Sequence, residues 1–173
     1  MKTYLVTGCA GFIGSNFVHY MLEKYEDIRL VNLDKLPYAG NLENLQDIED
    51  DARHIFVQGD ICDKALVTDL IAKYDPDYVI NFAAESHVDR SIKNPEIFGE
   101  SNVLGTVNLL QCCKDAWYDA AAKTWKKGKK YLQVSTDEVY GALGAEGYFM
   151  EPTPLSPHRP NSASTASADM FVT

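Results

Sequence analysis

Positive charge is scarce in this chain. Sixteen lysines and arginines stand against 25 aspartates and glutamates, a net charge of −9. Nucleic acid and anionic membrane surfaces both call for a basic face, so neither is expected as a partner. Long apolar runs are lacking too. Nothing approaches the roughly 18 residues that cross a bilayer, and Met1-Lys2-Thr3 leads directly into a strand pattern with no signal peptide. Cysteine is sparse: Cys9, Cys62, Cys112 and Cys113 match no zinc spacing. These absences together predict a cytoplasmic protein with reduced thiols and no metal. One local exception is basic. Lys123, Lys126, Lys127, Lys129 and Lys130 crowd one short stretch, read here as a solvated loop before a strand. No repeat or linker interrupts the sequence, and 173 residues fit one domain with a true core.

What is present is a regular alternation of strand and helix patterns. Strands are expected near 3–7, 28–33, 54–58, 78–82 and 131–134. Helices are expected near 12–25, 42–50, 63–74 and 95–122. A glycine- and proline-rich loop and a helix start over 161–173 complete the chain. Ile13, Phe17, Met21 and Tyr25 mark the first helix at four-residue steps. Leu66, Leu70 and Ile71 mark the inner face of the helix near 63–74, and Val103, Val107, Leu110 and Cys113 that of the last long one. Such alternation implies a parallel sheet with helices on both faces. Ligands of open parallel sheets bind beyond the carboxyl ends of the strands. Those ends here carry Thr7–Gly14, Asp34, Asp60, Ala83–His87 and Ser135–Glu138.

Gly8, Gly11 and Gly14 lie between the first strand and the first helix, spaced G-x-x-G-x-x-G. Glycines let the backbone turn sharply and approach an anion, and the N–H groups of the helix start then hold it. Out of context the spacing signifies only a tight turn. Asp34 closes the second strand, 20 residues past Gly14. A carboxylate there accepts hydrogen bonds from the adenosine ribose and repels a 2′-phosphate, which predicts NAD over NADP. Asp60 lies near the adenine on this reading, or is a turn aspartate. Asp137 and Glu138 are adjacent carboxylates at a strand end. They are suited to acid and base work, or form a solvated acidic turn.

Three longer stretches carry a resemblance: Asp34–Leu45 (DKLPYAGNLENL), Ala83–Ile92 (AAESHVDRSI) and Val134–Gly141 (VSTDEVYG). With the glycine turn they resemble the dTDP-glucose 4,6-dehydratases of the extended short-chain dehydrogenase/reductase superfamily, over the whole chain. The resemblance implies a Rossmann-like, doubly wound parallel sheet. It also implies a reaction in three parts: oxidation at C4 of dTDP-glucose, loss of water across C5–C6, and hydride return to C6. Glu138 then removes the C5 proton, Asp137 protonates the departing hydroxyl, and Thr136 hydrogen-bonds the C4 oxygen. Phe12 and Ile13 lie along the pyrophosphate, Asp34 and Lys35 bound the adenosine, and Asp60 and Ile61 the adenine. Ala83, Ala84 and Ser86 line the nicotinamide side, Ser86 also facing substrate, and Ser101 is a further cofactor contact. His87 belongs to the active-site wall. A nucleotide-sugar 4-epimerase and a GDP-mannose 4,6-dehydratase are the alternative enzymes. The Asp137–Glu138 pair argues against the first, and the stretches at 34–45 and 83–92 against the second.

The sequence also departs from that family. Its next motif is Tyr-x-x-x-Lys, which sets both side chains on one helical face. Asn161 and Thr165 occupy the two positions here. Neither titrates near neutrality, and loss of one positioned general base costs about 10²–10⁴ in rate, so little or no C4 oxidation is expected. Neither Tyr140 nor Tyr148 is expected to replace the base. Cys9 stands for the usual glycine, Pro37 for the usual threonine, and Arg159 is bulky beside the altered motif. The chain stops at Thr173, whereas the family continues into further strands and a smaller sugar-nucleotide domain. Residues 1–173 are therefore expected to form an NAD-binding domain truncated after the fifth strand, which is left as an exposed edge. The family's homodimer, built by pairing helices, is expected to be weakened. Against the enzyme stands a second class, a non-catalytic NAD-binding module or one that associates through its long helix.

Overall fold

The computed structural model describes residues 1–172. Its centre is β1 (Lys2–Thr7), flanked by β2 (Ile28–Asp34) and β4 (Tyr78–Asn81). β3 (His54–Gln58) lies outside β2, and a strand over Lys130–Gln133 lies outside β4. All five run parallel. Their carboxyl ends are in register: Thr7 opposes both Leu33 and Asn81, Asp34 opposes Gln58, and Asn81 opposes Gln133. The chain first builds outward through β2 and β3, then returns to the other side of β1. That reversal opens a crevice at the carboxyl ends of β1 and β4.

Alternating side chains separate two cores. Leu5, Val31, Leu33 and Val79 face α2 (Lys64–Tyr74) and α5 (Gly105–Trp117), burying Val67, Leu70, Ile71, Leu109, Cys112, Cys113 and Trp117. Val6 and Leu30 face the other way, onto Val18, Met21 and Leu22 of α1 (Phe12–Lys24) and Leu45 of a 3₁₀ segment, Leu42–Ile48. α2 is capped as its sequence suggests: Asp63 accepts the Leu66 N–H through its side chain (3.1 Å). Burying one apolar stripe per helix on each sheet face is what holds the doubly wound layers together.

Between β4 and α5 run α3 (Val88–Lys93), α4 (Pro95–Phe98) and a π segment, Gly99–Leu104. The long helix expected to reach residue 122 stops at Trp117. Tyr118 is extended and begins a small hairpin, β5 (Tyr118–Asp119) and β6 (Thr124–Trp125). Asp119 decides this, since its side chain accepts the N–H groups of Ala121 and Ala122 (both 2.9 Å) and closes a turn in an alanine-rich stretch. The outer sheet strand is therefore β7 (Lys130–Gln133), one residue earlier than expected. Leu132 on it is 55% exposed, and β7 is the outermost strand of the sheet. Of the lysine run, Lys129 is half of an ion pair with Asp75 (2.9 Å) rather than solvated.

Two expected stripes are also rotated. In α1 the buried residues are Gly14, Ser15, Val18, Met21 and Leu22, while Ile13 is 62% exposed. The helix must turn its glycine toward the preceding loop. In the long helix, Asn102, Thr106 and Leu109 are buried in place of Val103, Val107 and Leu110. Asn102 and Thr106 are polar but find hydrogen-bond partners inside the protein, so burial does not follow hydropathy there. α6 (Pro160–Val172) ends the described chain, and Thr173 lies outside the described residues.

Candidate functional site

The three glycines of the first turn have different duties. Gly8 has φ +68°, and a Cβ there would sit 2.6 Å from the Ala83 nitrogen at the end of β4. A Cβ on Gly14 would sit 2.1 Å from the Gly8 carbonyl oxygen. No side chain fits at either place. At Gly11 the nearest atom would be 3.4 Å away, so sterics alone do not demand glycine. Gly11 is the N-cap of α1 and offers no side-chain cap, which leaves the helix's first N–H groups for an incoming anion. Cys9 is fully buried in the core beneath the turn, where burial pushes its thiol pKa well up. Its φ is not positive, so its replacement of glycine strains nothing.

Below this turn opens a cleft of about 370 Å³. Gly8, Gly11, Asp34, Lys35, Asp60, Ile61, Ala83, Ala84 and Ser101 all line it. Phe12 (83% exposed), Ile13 and Ser86 lie at the surface and do not line it, and Gly14 is inside the turn. Asp34 is 5% exposed and does more than face the cleft. One carboxylate oxygen accepts the Ala10 N–H (2.9 Å), the other the Leu36 N–H (2.8 Å). It thereby fixes the glycine turn and the left-handed Leu36 (φ +56°). Lys35 reaches across to Asp60 (2.5 Å), which also accepts the Cys62 N–H (2.9 Å). Burial raises the Asp60 pKa, but the Lys35 bond and the Cys62 amide outweigh it and leave it lowered. The Lys35 ammonium is held above its usual range by that same bond. Sequence reasoning missed Gly40 and Glu85. A Cβ on Gly40 would lie 2.9 Å from Asp34 Oδ1, and its place in the Pro37–Asn41 turn was the available signal. Arg90 stacks on the Tyr38 ring (3.7 Å), and His87, exposed, meets the same ring edge-on.

The residues expected to do chemistry lie past β7, the strand beside β4. Thr136 caps a 3₁₀ turn, Asp137–Tyr140, by accepting the Glu138 N–H (3.3 Å), and its hydroxyl donates to Asp137 (3.3 Å). Asp137 is exposed and Glu138 half-buried. Neither these two nor Thr136 lines the cleft. Glu138 instead meets the altered motif: Asn161 Nδ2 donates to Glu138 Oε2 at 2.6 Å. Asn161 is 5% exposed, and its Oδ1 is buried with no hydrogen-bond partner among the described residues. Thr165 turns its hydroxyl back to the Asn161 carbonyl (3.0 Å), which Ser164 also engages (2.8 Å). Arg159 is exposed. Buried side chains link the two ends of the site. Thr7 bonds Asn81, and Asn81 donates to Gln133 Oε1 (2.9 Å), which also accepts from Tyr131 (2.8 Å).

Sheet order, glycine turn and cleft define a Rossmann-like domain of the short-chain dehydrogenase/reductase kind. The chain belongs to the family described as GDP-mannose 4,6 dehydratase, whose model matches residues 5–173. A dTDP-glucose 4,6-dehydratase of Xanthomonas campestris pv. campestris is 54% identical over 172 residues, covering 99% of this chain and 48% of that protein. The solved dTDP-glucose 4,6-dehydratase of Bacillus anthracis in complex with NAD is 46% identical, with a TM-score of 0.83, over 99% of this chain and 49% of that one. DesIV of Streptomyces venezuelae, a dTDP-glucose 4,6-dehydratase solved with NAD and TYD bound, is 43% identical at a TM-score of 0.85, over 97% and 49%. The chain thus spans about half the length of the relatives it matches. Among the described residues no helix is long and apolar enough to cross a membrane.

Proposed function

We propose that this chain is the NAD-binding domain of a dTDP-glucose 4,6-dehydratase-type lyase, and that its own capacity to oxidise C4 is disabled by Asn161 and Thr165. One observation carries the cofactor half: Gly8 and Gly14 approach neighbouring backbone so closely that any Cβ would collide, directly above a cleft bordered by Asp34. That cradle fits a dinucleotide, with the first N–H groups of α1 on the pyrophosphate and Asp34, Lys35, Asp60 and Ile61 around the adenosine. Ala83 and Ala84 flank the nicotinamide side, and Ser101 is a further cofactor contact. When bound, NAD supplies the hydride acceptor and donor of the reaction.

The substrate is dTDP-glucose, met by Ser86 and Thr136. Glu138 takes the C5 proton and Asp137 gives one to the leaving C6 hydroxyl. The contact between Asn161 and Glu138 supports the impairment. An amide donor occupies the place where the family's tyrosine accepts the C4 hydroxyl proton, and it cannot accept a proton near neutral pH. Thr165 supplies no positive charge, and its hydroxyl is spent on the helix backbone.

Calorimetry with NAD tests the cofactor half; no heat of binding at millimolar NAD overturns it. Incubation with NAD and dTDP-glucose tests the other half, and turnover to the 4-keto-6-deoxy sugar refutes the disabling role of Asn161 and Thr165. Asn161→Tyr combined with Thr165→Lys is expected to restore measurable product if these positions are the main lesion. Failure to do so in a folded variant places the main lesion at other positions.

A further inference from the structure

Glu85 lines the cleft beside Ala83 and Ala84. It is 8% exposed, and its Oε2 is buried with no hydrogen-bond partner among the described residues. Its position is fixed from both sides of its backbone. Asn102, itself 3% exposed, accepts the Glu85 N–H (2.7 Å) and donates to the Glu85 carbonyl (2.9 Å). The same Asn102 amide donates to Ser164 of α6 (2.9 Å). So the Glu85 backbone is held at the end of β4, and among the described residues no lysine or arginine forms an ion pair with its carboxylate.

The rest of the cleft does not compensate it. Lys35 is the one lysine or arginine among the described lining residues, and its ammonium is already paired with Asp60. Asp34 and Glu100 add further negative charge. A dinucleotide carries two negative phosphates into this cleft. Its oxidised form also carries a positive nicotinamide ring, and its reduced form does not. Removed from bulk water, a fixed carboxylate distinguishes the two by Coulomb attraction alone, even without touching the ring.

We propose that Glu85 makes the cleft discriminate between redox states, holding oxidised NAD more tightly than NADH. This rests on the NAD reading given above. The test is calorimetry with NAD and with NADH, each alone, on the wild-type chain and on Glu85→Gln. Glutamine keeps the shape and the polarity and removes the charge. The wild-type chain is expected to favour NAD. Glu85→Gln should lose about tenfold of that preference, mainly through weaker NAD binding. Glu100→Gln, at an exposed position, should lose less, because water screens its charge.

The outcomes separate cleanly. An unchanged NAD-to-NADH ratio in Glu85→Gln, with both still bound, overturns the role of Glu85 and leaves the NAD site standing. Binding of neither form to the wild-type chain overturns both readings. If Glu85→Gln does not fold, the wild-type ratio decides: equal affinity for the two forms refutes the proposal.

Discussion

Replacing Asn161 with aspartate changes a donor into an acceptor with almost no change of shape. In the wild-type chain the Asn161 amide donates to Glu138 Oε2 at 2.6 Å from a site only 5% exposed. A hydrogen bond to a charged acceptor contributes about 1.5–3 kcal/mol. In Asn161→Asp two carboxyl groups face each other at that separation, and they cannot both be ionised without strong repulsion. Above the ordinary carboxylate range the folded variant therefore keeps a proton that its unfolded chain has already released. With one extra proton bound in the native state, stability falls as pH rises, by up to about 1.4 kcal/mol per pH unit. Between about pH 5 and pH 7 the variant should lose about 2–3 kcal/mol relative to wild type, and near pH 5 the two should nearly match, because the shared proton restores a bond. Urea unfolding followed by circular dichroism at several pH values measures this directly. Asn161→Ala is the control: it loses about 1–3 kcal/mol with no such added slope. A pH-independent gap between Asn161→Asp and wild type would refute the contact and the inference that Asn161 occupies the partner position of Glu138.

Three further outcomes are expected. Gly14→Ala forces a Cβ to within 2.1 Å of a backbone oxygen, so it should cost about 1–3 kcal/mol or more and weaken NAD binding at least about tenfold, whereas Gly11→Ala should leave the melting temperature nearly unchanged. Asp34→Asn keeps one acceptor for two backbone N–H groups, and should lower stability by about 1–2 kcal/mol and narrow the gap between NAD and NADP affinity in calorimetry. His19 ties α1 to the 3₁₀ segment through Asp47 (2.8 Å), and that bond, with the Ser15 carbonyl, raises its pKa above the ordinary 6.5 despite partial burial. A raised folded value means stability present below about 6.5 and lost as pH climbs through the folded value, so the melting temperatures of wild type and His19→Gln should differ at pH 5.5 and converge near pH 9.

The turn was legible because its signals are local: three glycines, a strand before them, a helix after. What Asp34 does was only half legible. Its place at the end of β2 follows from the sequence, but its bond to Ala10 spans 24 positions and exists only once β1 and β2 pair. Asn102, Thr106 and Glu85 escaped for a different reason. A hydropathy pattern assigns polar residues to the surface, whereas these three are buried in the fold's interior, and Asn102 exists there to hold the Glu85 backbone. The end of α5 was misread because alanines at 120–122 favour helix, and a single aspartate at 119 overrides them through its side chain. The four-residue step from Asn161 to Thr165 lies on α6, in line with the helix start expected over 161–173. That Asn161 would bond Glu138 is not legible in the sequence, since the two lie 23 positions apart across a turn and a long loop.

On the proposed function, binding and chemistry would fall to different parts of this domain, joined by a short run of hydrogen bonds. The cofactor turn hangs on β1 and the carboxylate pair on β7, with β4 between them. Thr7, Asn81 and Gln133 sit at the carboxyl ends of those strands, in register and bonded in sequence. Among the described residues none of the three is hydrogen-bonded to Asn161 or Thr165. Substitution at 161 and 165 can therefore change what happens at Glu138 without moving the turn relative to the carboxylates. The orphaned Asn161 Oδ1 is consistent with that division. An interior acceptor left without a donor is costly, and it persists only where the surroundings over-determine the side chain's position. Here the surroundings are the Glu138 carboxylate on one side and the start of α6 on the other. The start of α6 sets Asn161 against Glu138, and the group it presents there is a donor.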